Sequence, residues 1–329
     1  MKIHPDKGIS FEELQKYSDA IIAEVEKAIV GKREFLEKFL TAFLSSAGHI
    51  LIEDYPGLAK TLIANSFANA LGMQFKRIQF TPDLMPGDIT GGYIFDHEQN
   101  KFILRKGPLF TNILLADEIN RASPKTQSAL LEAMQEHQVT MEGDTFELSD
   151  PFIVVATQNP IEYEGTFPLP EAQLDRFIVR LNIGYPSADD EQEILERRLI
   201  RQADTFSLSP VVTPQIFLSM QKLIEQIYVH PDLQSYIVDL VAETRTHRQV
   251  VIGASPRGSL ALLKLARSWA AIQGRDYVLP DDVKLFAREA LSHRLILEPS
   301  LWGSKTTRTG IIDEIVQSVG VPVMILNRE

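Results

Sequence analysis

Several polar constellations in the sequence could do chemistry on a polyphosphate. The first is Asp54-Tyr55-Pro56-Gly57-Leu58-Ala59-Lys60-Thr61, which follows the apolar run His49–Glu53 and opens the apolar-periodic segment Thr61–Leu71, with Leu62 its first apolar residue. A strand, a tight loop and a helix in that order aim backbone N–H groups and a positive helix end at an anion. Lys60 would reach the β- and γ-phosphates, and the Thr61 hydroxyl would ligate Mg²⁺. The loop departs from G-x-x-x-x-G-K-[ST] at both glycines, where Asp54 and Ala59 stand. Ala59 is the more serious change, because that position often takes a backbone conformation a Cβ disfavours. The plain alternative is a Pro-Gly turn with Lys-Thr opening a surface helix.

The second constellation is Ile113-Leu114-Leu115-Ala116-Asp117-Glu118, four apolar residues ending in two carboxylates. At the carboxyl edge of a parallel strand, where ligands of open α/β sheets sit, Asp117 would hold Mg²⁺ and Glu118 would polarise an attacking water. Solvated acids closing a strand are the alternative, less natural about 50 residues after a Lys-Thr loop in the same sheet. Asn159, at the end of PFIVVATQNP, could orient that water or merely initiate an Asn-Pro turn. Arg176 could stabilise γ-phosphate charge in this subunit or a neighbour's, or pair with Asp175 or Glu171. Ser255-Pro256-Arg257 reads as N-cap, N1 and first turn of a helix. A cation there is disfavoured by a few tenths to about 1 kcal/mol, so an anion should face Arg257; a solvated Arg is the bland reading.

The elements that must position these groups are legible as a parallel α/β sheet. Five short Val/Ile/Leu/Phe-rich runs read as strands buried on both faces: His49–Glu53, Gln74–Phe80, Ile113–Ala116, Phe152–Ala156 and Phe177–Ile183. Helical patterns lie between them, among them Thr61–Leu71 and Pro124–Glu136, and an amphipathic helix in the first 30 residues leads into Ile29-Val30-Gly31. An insertion rich in Pro, Gly and Asp, Thr81–Asp96, follows the second strand, and Gln138–Leu148 alternates about a Gly turn as a hairpin. From Asp189 onward the pattern is nearly all helical and period 2 is gone. The division expected is residues 1–186, a nucleotide-binding unit with insert and hairpin, and 187–329, an α-helical lid, with the boundary near Pro186.

Taken together these segments resemble the AAA+ ATPases and, more narrowly, the MoxR family. The resemblance rests on EDYPGLAKT (53–61), QFTPDLMPGDITG (79–91), GPLFTNILLADEINRASPKTQSALLEAMQEHQVT (107–140), VVATQNPIEYEGTFPLPEAQLDRF (154–177) and GASPRGSLALLKLARSWA (253–270). It implies that residues 54–61 are a Walker A segment, Asp117 and Glu118 a Walker B pair, Asn159 sensor 1, Arg176 an arginine finger and Arg257 sensor 2. It also implies that Ile29-Val30-Gly31 packs against adenine, that 81–96 is a helix-2 insert and that 138–148 is the hairpin before sensor 1. The fold it implies is a doubly wound five-stranded sheet in the order 5-1-4-3-2 with a helical lid. The cofactors are ATP and Mg²⁺, and the assembly is a hexameric ring with ATP between subunits. The activity is chaperone-like, on protein clients and often with von Willebrand factor A domain partners.

Composition narrows the alternatives. The 329 residues, 44% hydrophobic and 23% charged, can bury a sizeable core. With no cysteine there is no disulfide scaffold, thiol catalysis or Cys-ligated metal, which fits a reducing, cytoplasmic setting. No apolar run approaches the roughly 18 residues of a membrane span, and MKIHPDKGIS lacks a signal-peptide core. A net charge of −11, with no Lys/Arg cluster in either insertion, argues against a DNA-acting motor. An ATP-gated scaffold with little turnover is the other alternative, and Ala59 its main support.

Overall fold

The computed structural model describes residues 9–46, 48–160, 165–299 and 307–322. Helix α1 (Phe11–Val25) starts at a capping box in which Ser10 and Glu13 exchange side-chain and backbone hydrogen bonds. Helix α2 (Arg33–Leu44), which the sequence reading does not single out, buries Phe35, Leu36, Phe39, Leu40 and Phe43. Next come β1 (Ile50–Glu53), α3 (Lys60–Ala70) and β2 (Phe75–Gln79). Helix α4 (Pro86–Thr90) leads into the antiparallel hairpin β3 (Gly91–Asp96) and β4 (Lys101–Lys106). The insertion therefore runs ten residues past Asp96. Its second strand, KFILRK, is mostly exposed and too weakly alternating to stand out in sequence.

Strand β5 (Ile113–Asp117) and a 3₁₀ turn (Ile119–Arg121) precede α5 (Pro124–Glu136). Helix α5 has the expected bounds because both ends are chemically marked. Ser123 caps the N-terminus, Pro124 fits N1, and His137 closes the helix at φ 53. The hairpin β6 (Gln138–Met141) and β7 (Asp144–Glu147) follows, then β8 (Ile153–Gln158), α6 (Glu171–Leu174) and β9 (Val179–Leu181). The later helices are α7 (Ala188–Arg201), α8 (Pro214–Ile224), α9 (Pro231–Thr246), α10 (Pro256–Ile272), α11 (Pro280–Leu291) and α12 (Arg308–Ser318). Two short strands, β10 (Val250–Ile252) and β11 (Ile296–Leu297), pair antiparallel among them, so this part is not purely helical.

The five central strands form one parallel sheet in the order β2-β5-β8-β1-β9, which is 5-1-4-3-2 when only these strands are numbered. Their side chains alternate between two apolar clusters. Ile50, Ile52, Ile113, Leu115, Val155 and Leu181 face α1, α2 and α3, while Leu51, Leu114, Ala116, Val154 and Ala156 face α5. Both faces are covered over β1, β5 and β8, which is why those inner strands read as apolar runs. The edge strands depart from the expected burial on both faces, since β2 carries Lys76, Arg77 and Gln79 and β9 carries Arg180. Helices α8 to α12 share the first cluster with α1 and α2. Phe39, Phe43 and Phe67 anchor it, with Phe39 4.7 Å and 4.8 Å from the other two rings. Each such buried ring contributes about 2–3 kcal/mol.

Candidate functional site

The carboxyl ends of β1, β2, β5 and β8 all emerge at one edge, and a cleft of about 450 Å³ lies there. Pro56, Gly57, Leu58, Ala59, Lys60, Thr61 and Leu62 line one side, and Asp117, Glu118 and Asn159 the other. Residues expected from sequence to act on phosphate are thereby brought together from three strand ends. Gly57 has φ +84 with nothing within 4 Å of where a Cβ would stand, so the turn is open to a ligand. Ala59 takes the left-handed conformation, φ 55 and ψ 19, as N-cap of α3. The loop thus forms with the backbone a glycine would favour, at a strain of about 1–2 kcal/mol. The Lys60 ammonium donates to the Asp54 carbonyl, folding back across the loop.

Asp54 has a different place. Its carboxylate is buried and accepts N–H bonds from Ile183 (2.6 Å), Gly184 (2.8 Å) and Tyr55 (2.9 Å). Its side chain thus ties the end of β1 to the chain leaving β9 and faces away from the cleft. That bond set explains an acid where the pattern has glycine. Tyr55 stacks on Tyr185, with centroids 5.9 Å apart.

The acidic pair is held from several directions. Thr157 Oγ1 donates to Asp117 Oδ1 at 2.6 Å and accepts the Glu118 N–H at 2.8 Å. Glu118 has φ 54, a strained backbone that turns its carboxylate away from the strand axis. Two residues of β2 that the sequence reading did not single out reach the pair. Arg77 Nη2 lies 2.7 Å from Asp117 Oδ2, and Gln79 Nε2 donates to Glu118 Oε2 at 2.7 Å. Arg121 reaches the same Glu118 oxygen at 3.1 Å. The available signal was period 2: Arg77 and Gln79 share a strand face, and Gln79 registers against Asp117.

Arg176 and Arg257 are not in this cleft. They line a second one of about 220 Å³, with Asp175, Leu260, Lys264 and Arg294, that has no lining residue in common with the first. Arg176 Nη1 donates to the Leu131 carbonyl at 2.7 Å, and its buried Nε has no partner among the described residues. The anion expected to face Arg257 is present and belongs to the protein: Asp175 Oδ2 lies 4.0 Å from Arg257 Nη1. The Asp175 carboxylate also accepts from Ser255 Oγ at 2.9 Å and from the buried Arg294 Nε at 2.6 Å. This knot fixes the start of α10 against the segment carrying Arg176. Burial lowers the Arg294 pKa from its usual value, although the Asp175 carboxylate opposes that shift.

Val30 is buried, and Gly31 lines a third cleft, of about 450 Å³, with Lys32, Ile183 and Arg288. Gly31 has φ +69, and a Cβ there would stand 2.1 Å from the Asp190 carboxyl. A larger residue would therefore strain the backbone and push aside the carboxyl that bonds Ser187 at the start of α7.

The donor set fits a magnesium–nucleotide. Among the described residues no three His, Cys, Asp or Glu converge as a protein-only metal site. Thr61 and Asp117 supply hard oxygens in the first cleft, and Mg²⁺ typically combines one or two such ligands with substrate phosphates. The N-terminus of the 11-residue α3 and the Gly57 turn supply the phosphate side.

Comparison with known proteins accords with this architecture. Residues 49–179 match the model for the ATPase family associated with various cellular activities (AAA), and residues 242–315 the AAA lid domain. A solved structure from Cytophaga hutchinsonii superposes with a TM-score of 0.89 at 38% identity, covering 95% of this chain and 97% of that one. The uncharacterized protein YeaC of Bacillus subtilis is 45% identical over 95% of this chain and 97% of its own length. The chaperone MoxR1 of Mycobacterium tuberculosis is 43% identical over 92% of this chain and 81% of its own. Identity at that level over most of the chain, on an AAA sheet followed by a matching lid, means that the chain belongs to the MoxR family of AAA+ ATPases.

Proposed function

We propose that the first cleft binds ATP with Mg²⁺ and hydrolyses it. The observation that carries this reading is the convergence of the 56–62 loop with Asp117, Glu118 and Asn159 at one edge of the parallel sheet. In this reading the loop amides and Lys60 hold the phosphates, and Thr61 and Asp117 hold the metal. When bound, Mg²⁺ neutralises charge developing on the transferred phosphoryl group. Glu118 takes up the proton of the attacking water as general base, and Asn159 orients that water. The base extends past the Asp54–Ile183 junction toward the third cleft, which Gly31 lines and buried Val30 adjoins.

Arg176 and Arg257 are assigned to the phosphates of a second copy, because the cleft they line is separate from their own chain's loop. The protein then works as a self-assembled ring, a hexamer by family resemblance, with residues 1–186 as the nucleotide unit and 187–329 as the lid. Its output is chaperone-like remodelling or activation of protein partners, a von Willebrand factor A domain protein among them. The relative named chaperone MoxR1 supports that output. The −11 charge favours protein clients over nucleic acid, and the absence of cysteine suits the cytoplasm. Among the described residues no helix is long and apolar enough to cross a membrane.

Steady-state phosphate release tests the enzyme. Glu118→Gln should lower turnover by about 10²–10⁴-fold while ATP affinity is retained, since it removes the base and leaves the phosphate contacts. Equal rates for the two proteins would leave only a nucleotide-gated scaffold.

A further inference from the structure

Helix α7 is unlike the other helices of eight or more residues that the structure describes. It buries none of its residues, whereas each of the others buries at least three. Among its exposed side chains are large apolar ones: Leu195, Leu199 and Ile200 are 65%, 74% and 84% accessible. Leu195 and Leu199 stand one turn apart on one face. Asp189, Glu193 and Glu196 follow one another at four- and three-residue steps, an acidic stripe along the same helix. The helix is rooted beside the third cleft, and Tyr185 just before it stacks on Tyr55 of the phosphate loop. Asp190 packs on Gly31, Lys32 Nζ donates to the Tyr185 carbonyl at 2.9 Å, and Arg197 Nη1 donates to the Glu26 carbonyl at 2.6 Å.

A matching surface lies elsewhere on the chain. A groove of about 520 Å³ between α9, α10 and the segment after α8 is lined by Ile227, Tyr228, Ile237, Val238, Leu260 and Leu263. Tyr228, Val238 and Leu260 are each more than half exposed. Leu260 also lines the cleft of Arg176 and Arg257, so groove and arginines are neighbours. Arg257, Lys264 and Arg267 lie on the same side of α10 as Leu260, a basic stripe beside the groove in which Arg267 also pairs with Glu225 at 2.7 Å.

We propose that α7 of one copy seats its Leu195–Leu199 face in this groove of a second copy. The inference rests on the assignment of Arg176 and Arg257 to a second copy's phosphates. A copy that carries those arginines to another chain's phosphate loop also carries the groove toward the Tyr55–Tyr185 stack, just after which that chain's α7 starts. The acidic stripe of α7 then faces the basic stripe of α10, which fixes the polarity of the contact. The two patches differ, so the contact is head-to-tail and propagates into a ring. Exposed apolar surface on both sides supplies the driving force.

The natural chain has no cysteine, so Leu199→Cys and Val238→Cys each introduce a unique thiol. The two full-length variants are mixed in equal amounts with Mg²⁺ and a non-hydrolysable ATP analogue, then treated with a short bismaleimide. The expected result is a covalent dimer in the mixture at least five-fold above that in either variant alone. Leu199→Glu, a change at an exposed site, should weaken assembly at least ten-fold in sedimentation while leaving the circular dichroism spectrum unchanged. Assembly by sedimentation with no cross-link above the single-variant background would sink the contact and leave the ring standing, with α7 then open to a client. Absence of any assembly with nucleotide would overturn both the contact and the arginine assignment.

Discussion

Ala59 shows how much a single side chain can decide. Its φ of 55 is a conformation that costs an L-residue about 1–2 kcal/mol, and the cost is met because the loop and the start of α3 require that turn. Ala59→Gly removes the strain but frees the unfolded chain, which costs back about 0.4–1 kcal/mol. The net expectation is a gain of up to about 1 kcal/mol, visible as a rise of about 1–3 °C in the thermal midpoint. A lower midpoint would mean that the Ala59 methyl packs usefully. Other residues differ in how far their roles could be foreseen. Lys60, Thr61, Asp117 and Glu118 were legible because their chemistry needs a fixed order along one chain segment. Arg77 and Gln79 were not, since polar residues on a strand whose partner is unknown look like solvent-facing side chains. The bond set of Asp54 depends on β9 arriving beside β1, which no local pattern encodes.

At the scale of elements, the sheet could be read in advance because its inner strands β1, β5 and β8, covered on both faces, show as apolar runs, with the partly polar β2 and β9 at its edges. The β3–β4 hairpin could not, because it is held largely by backbone pairing, with Leu104 packed on the second cluster and Tyr93 Oη donating to Asp144 Oδ2 of a neighbouring hairpin at 2.7 Å. His49 has a comparable hidden role at the sheet's other end. Its Nδ1 accepts the Val154 N–H at 3.0 Å and its Nε2 donates to the Met134 carbonyl at 3.0 Å, joining the start of β1 to β8 and α5. Burial there pushes its pKa down to about 4. The unfolded chain, near 6.5, binds the proton more readily, so stability is full above pH 6.5 and is lost as pH falls through that value toward 4. The loss from this group reaches about 3 kcal/mol near pH 4. Buried His293, whose pKa burial also lowers, adds in the same direction. Denaturant midpoints measured from pH 7.5 to 4 should fall steeply for the natural protein. For His49→Gln they should start lower and fall less, and an equal slope in both would remove His49 as a cause.

For the whole molecule, the separation of the two arginines from the phosphate cleft is the feature with the widest consequences. It was not legible in sequence, because Arg176 follows a four-residue helix and Arg257 begins a distant one, and only packing joins them at Asp175. If each chain supplies Glu118 to its own nucleotide and Arg176 to a neighbour's, two inactive variants must complement each other. Glu118→Gln keeps an intact arginine and lacks a base, whereas Arg176→Ala keeps the base and lacks the arginine. In a randomly mixed ring with equal amounts of both, about one interface in four pairs an intact Glu118 with an intact Arg176. Phosphate release should therefore recover to roughly a quarter of the natural rate, against near-background rates for each variant alone. Recovery should be lost on dilution below the assembly concentration, because mass action dissolves the mixed interfaces. A mixture no more active than the sum of its components, at a concentration where sedimentation shows mixed assemblies, would return Arg176 to its own chain. The bond from its guanidinium to the Leu131 carbonyl would then be its whole role.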